Sequence, residues 1–120
     1  MKANISRELE IAIYDYIYLI LLVEVLEGKA KKGFNVDEPI SKVLTELAMI
    51  KRFFHKNGIK VHPVKVDSDG LFVQYDFSIK VEGGYKEGNF RFWRAALTMT
   101  LRKKMKLLDN GKKITESFIG

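Results

Sequence analysis

The sequence predicts an α+β domain in the order α-α-β-β-α: a two-helix hairpin, an antiparallel β-hairpin and a C-terminal helix. Three observations carry this. Apolar residues recur near every 3.6 positions up to Asn57, alternate with polar ones from Ile59 to Glu82, and return to helical spacing before Leu108. Turn residues fall at the same joints: Gly58, residues 67–70, Gly83 with Gly84, and residues 109–111. The chain of 120 residues is the length of one domain, so 1–120 is read as a single unit with its own core.

The first helix is predicted over 6–27. The Ser6 hydroxyl can accept a bond from a backbone N–H that the first turn leaves without a partner. Leu9, Ile13, Tyr16, Ile17 and Ile20 make one stripe, and Ile11, Tyr14, Tyr18, Leu22 and Val25 make another. A helix apolar on both sides must be covered on both sides. Gly28 is the expected stop. Asp15 and Glu24 interrupt the run from Ile11 to Leu26, which falls short of the roughly 20 apolar residues of a membrane span. No small-residue cleavage pattern follows it, so no signal peptide and no membrane partner are expected.

The second helix is predicted over 38–57, with Asp37 as N-cap and Pro39 in the first turn. Ile40, Val43, Leu44, Leu47, Ile50 and Phe54 form its apolar face, and Gly58 is the left-handed stop. A short loop between the two helices gives an antiparallel hairpin.

Ile59 and Val61 then alternate with Lys60 and His62 until Pro63, a residue that belongs on an edge strand or at a bulge. After the turn at 67–70 comes the cleanest strand. Leu71, Val73, Tyr75, Phe77, Ile79 and Val81 face one way and Gln74, Asp76, Ser78, Lys80 and Glu82 the other, with Phe72 out of pattern. Residues 85–89 read either as a short third strand or as an irregular loop. The last helix is predicted over 90–108, with Asn89 as N-cap and Phe90, Trp93, Leu97, Leu101 and Leu108 inward. Residues 112–120 form a tail whose Phe118 and Ile119 are expected to dock back. A lone hairpin is marginal in water, and together with the two-sided first helix it predicts a homodimer.

The chain has no cysteine, which excludes disulfides, thiolate nucleophiles and cysteine-bound metals, and fits a cytoplasmic protein. None of the serines lies in a Gly-x-Ser-x-Gly elbow. His55 and His62 read as surface or half-buried polar residues. Asp67 and Asp69 start like a calcium loop, but the twelfth position is Ser78, so the turn reading stands and no metal or cofactor is expected. Residues 83–89 are glycine-rich ahead of a helix, yet contain neither Gly-Lys-Ser/Thr nor Gly-x-Gly-x-x-Gly.

What remains is charge. Residues 86–113 hold nine basic and two acidic side chains, while the rest of the chain is nearly balanced, so the formal charge of +6 belongs to one segment. Lys86, Arg91, Arg94, Arg102, Lys103 and Lys106, with Phe92 beside them, are the candidates for holding an anion or nucleic acid. The competing account is plain surface charge, with cations in a last helical turn complementing the helix dipole. The function expected is therefore a small non-catalytic binding or regulatory module whose basic C-terminal helix contacts nucleic acid or an acidic protein. The alternative is a ligand-binding or enzymatic domain, with Tyr14, Tyr18, Tyr75 and Trp93 lining a pocket between sheet and helices. A third reading is a purely structural assembly partner.

Overall fold

The computed structural model describes residues 5–117. Helix α1 spans Arg7–Lys31 and starts where the capping residue places it: Ser6 is extended and its hydroxyl accepts from the Leu9 amide at 3.2 Å. Glu8 and Glu10 in the first turn and Lys29 and Lys31 in the last suit the helix dipole. The helix continues through Gly28, past the expected stop. A mid-helix glycine costs about 1 kcal/mol against alanine, which a turn ending in two lysines tolerates. The left-handed glycine is Gly33 instead, at φ 93.

Helix α2 spans Asp37–Asn57. Asp37 is its first residue rather than its cap, and the side chain of Asn35 accepts from the Asp37 amide at 3.1 Å. Val43, Leu47, Ile50 and Phe54 are buried as expected. Gly58 ends the helix at φ 66, and a Cβ there would meet Lys80 Cβ at 2.6 Å. The position thus needs glycine both for its backbone angle and for the close approach of the sheet.

Strands β1 (Ile59–Val61) and β2 (Lys65–Val66) both pair antiparallel with the same side of β3 (Phe72–Val81). They form one bulged edge. Pro63 has no N–H for the ladder, and the His62 amide restores contact by donating to Asp76 C=O at 2.8 Å. Strand β4 (Gly84–Trp93) covers the other side of β3 from Val81↔Gly84 to Phe72↔Trp93.

This corrects the sequence reading again. The third strand exists and runs to Trp93, so residues 90–93 are strand, Asn89 is not a cap, and helix α3 spans Arg94–Asp109. The ladder decides it. Pairing along all of β3 satisfies backbone groups that a helix starting at Phe90 would leave bare, and the Arg94 amide extends the ladder to Leu71 C=O at 2.8 Å.

The core centres on α1. Ala12, Ile13, Ile17, Leu19, Leu22 and Leu26 are at most 1% exposed. Tyr14 packs on Phe90 and Phe92, Tyr18 on Phe92, and Tyr16 on Phe54 of α2. Asp15, only 3% exposed, accepts from the Glu116 and Ser117 amides at 2.8–3.1 Å, and Lys104 donates to Ile114 C=O at 2.8 Å. The tail is therefore strapped across α1 and α3 as far as Ser117, while Phe118 and Ile119 lie outside the described residues. Both demands that suggested a second subunit are met within one chain: α1 is covered by the sheet and the other helices, and the hairpin has a third strand. No helix among the described residues is long and apolar enough to cross a membrane.

Candidate nucleic-acid interface

Helix α3 is amphipathic and lies at the surface. Leu97, Lys104 and Leu108 are buried. At 100° per residue, Met99, Arg102, Lys103 and Lys106 share an arc of about 100° on the opposite side, and all four are exposed. Asp109 is the only acid in the helix. None of these three cations makes an ion pair with a carboxylate among the described residues.

The other candidates lie elsewhere. Arg94 opens α3 and its guanidinium donates to Gly70 C=O at 3.4 Å, which ties the 67–70 turn to the helix start. Arg91 belongs to β4, not to the helix. It pairs with Asp67 and its Cζ sits 4.3 Å above the Phe72 ring. Lys86 lies seven residues before Trp93, about 24 Å along an extended strand, and takes no part in the α3 cluster. Lys104 is turned inward, toward Ile114 and over Tyr18 at 5.2 Å.

Phe92 is not an exposed stacking ring. Strand alternation turns it inward, where it meets Tyr14 at 5.7 Å and Tyr18 and Tyr75 at 6.1 Å. Its neighbour Trp93 takes the outward place, 56% exposed and directly opposite Phe72. The outer face of the sheet therefore carries a Phe72–Arg91–Trp93 group one residue from the start of α3. Sequence reasoning placed Trp93 inside. The signal for the group was Phe72, the apolar residue on the wet side of β3.

The four aromatic pocket candidates do not share one pocket. Tyr14 and Tyr18 border a groove of about 360 Å³ between α1 and α3, with Asp15, Thr100 and Lys104. Tyr75 borders another of about 330 Å³ with Tyr16 and His62, and Trp93 faces the opposite side of the sheet. A further concavity, of about 690 Å³, lies at the bulged edge beside His62, Lys65, Asp76, Glu87 and Asn89. Of its two carboxylates, Asp76 is tied up locally: it pairs with Lys65 at 2.6 Å and accepts from Gln74 at 2.8 Å. The bonds from Lys65 and Gln74 hold its carboxyl below the usual carboxylate range.

No group of three or more metal-ligating side chains occurs among the described residues. Asp67 and Asp69 build the turn instead: Asp67 C=O accepts from Gly70 at 2.9 Å, and the Asp69 side chain accepts from the Leu71 amide at 3.0 Å. Comparison with known families, curated proteins and solved structures finds no match for this chain.

Proposed function

We propose that the protein is a binding module that holds a polyanion, nucleic acid first among them, on the solvent face of α3. The observation that carries this is the shared exposed arc of Arg102, Lys103 and Lys106 without a carboxylate partner. Elsewhere the chain pairs Lys65 with Asp76 and Arg91 with Asp67. Cations held together without internal counterions attract phosphates and release the ions condensed on them. The Phe72–Arg91–Trp93 group supplies an aromatic surface near the start of α3, and such rings stack on unpaired bases. A single strand is therefore the preferred ligand over a duplex. A cysteine-free chain suits the reducing cytoplasm, where this reading places it.

The test is retention on heparin and on a single-stranded oligonucleotide at about 50 mM salt, where phosphate contacts dominate. The variant Arg102→Glu/Lys103→Glu/Lys106→Glu loses retention on both. A control, Lys29→Glu/Lys31→Glu/Lys32→Glu, changes net charge equally at the exposed end of α1 and keeps most of it. Equal loss in both variants assigns the effect to net charge and defeats the proposal.

A further inference from the structure

Among the described residues, strand β4 is an edge of the sheet. β3 lies along one side of it, and no strand lies along the other among the described residues. The Arg94 amide points to β3, since it donates to Leu71 C=O. Backbone groups alternate sides along an antiparallel strand. Tyr85, Glu87, Arg91 and Trp93 thus turn their N–H and C=O toward the open side, as their side chains take the outer face. Long open edges are templates for another strand, and proteins blunt them with proline, bulges, short length or charged side chains, of which β4 has only the last, in Lys86, Glu87 and Arg91. The opposite edge of this sheet is blunted by Pro63 and the break between β1 and β2. The ten residues of β4 contain no proline and pair without a break.

We propose that β4 pairs antiparallel with β4 of a second copy about a two-fold axis through Asn89, joining two sheets into one. The charge pattern selects this register. Centred on Asn89, each Glu87 faces the Arg91 of the other copy, and each Tyr85 faces the other Trp93. Both contacts occur twice. Tyr85 and Trp93 are 66% and 56% exposed in the single chain, and aromatic and opposite-charge pairs are those that stabilise facing strands. Registers centred on Glu87 or Arg91 set like charges face to face. Those centred on Gly88 or Phe90 set Glu87 against Asn89 or Trp93 and form no charge pair. Arg91 also contacts Asp67, but a guanidinium has five donors and can serve a second carboxylate. The two-fold axis is perpendicular to the sheet, so both copies of α3 lie on one side of it. The interface draws on Arg91 and Trp93 of the aromatic surface but on none of the α3 cations that carry the polyanion reading.

Two measurements test it. Sedimentation at micromolar concentration gives twice the monomer mass. Glu87→Arg weakens the dimer about tenfold or more, and adding Arg91→Glu restores it by reversing both charges. The chain has no cysteine, so single replacements report the register directly. Asn89→Cys forms a disulfide-linked dimer under mild oxidation, because paired Cα atoms lie about 5.5 Å apart. Glu87→Cys does not, because its own copies are offset by four residues, about 13 Å. A monomer at 100 µM overturns the proposal. So does a dimer that ignores Glu87→Arg or cross-links equally through both cysteines.

Discussion

Asp15 offers the sharpest test of how the fold is closed. Its side chain is buried within the apolar first helix, and its carboxylate accepts from two amides of the tail, Glu116 at 3.0 and 3.1 Å and Ser117 at 2.8 Å. Hydrogen bonds to a charged group contribute about 1.5–3 kcal/mol each. The tail amides are only part-buried, so water recovers some of the loss. Alanine also favours the helix by about 0.5 kcal/mol. Asp15→Ala should therefore destabilise by about 2–3 kcal/mol, and Asp15→Asn, which keeps one accepting oxygen, by about half of that. Urea unfolding followed by circular dichroism reads the change as a lower midpoint at an unchanged slope. Amide exchange at Glu116 and Ser117 should accelerate selectively. A change below about 0.5 kcal/mol, with exchange at both amides unaltered, would refute the strap.

Other consequences follow from the same contacts. Gly58→Ala should cost more than about 1 kcal/mol, because a left-handed φ of 66 and the 2.6 Å approach to Lys80 Cβ act together; thermal unfolding reads it. Phe77→Ala removes a ring that is 1% exposed and stacked on Phe90, and should cost about 3–5 kcal/mol in the same assay. Trp93→Ala should leave stability within about 0.5 kcal/mol, while weakening single-strand binding by about 1–3 kcal/mol in a fluorescence titration. Asp76 should titrate below the usual carboxylate range by carbon-detected NMR, and Lys65→Ala should move it back up. Its lowered value means that its contribution is present above the ordinary carboxylate range and is lost as pH falls through Asp76's own pKa. Burial raises Tyr18 and Tyr75, so their ionisation at 295 nm should come late. Their contribution is complete below the ordinary phenol value and is lost as pH rises through the raised one.

The helical hairpin and β3 were legible because each has one dominant period. The boundary between β4 and α3 was not. Phe90, Trp93, Leu97 and Leu101 stand three or four residues apart and satisfy a helical stripe, yet Phe90 and Phe92 against Arg91 and Trp93 satisfy a strand equally well. Only the partner strand breaks the tie, and partner contacts are tertiary. Asp15 was visible as a charge interrupting an apolar helix, but its ligands lie about a hundred residues away in the tail. Lys104 counted as surface charge for a similar reason: its partner Ile114 comes after the turn that ends α3. Within the basic segment, the sequence located Arg102, Lys103 and Lys106 on a common helix. It grouped Lys86, Arg91 and Phe92 with them by proximity along the chain, and the long fourth strand separates them.

The decisive measurement is the salt dependence of single-strand affinity. Log affinity against log salt falls with a slope of about −0.7 per phosphate contact. Three cations that act through phosphates predict that Arg102→Glu/Lys103→Glu/Lys106→Glu flattens the slope by about 2. A slope identical in the two proteins would mean that the outward face of the last helix carries charge without using it.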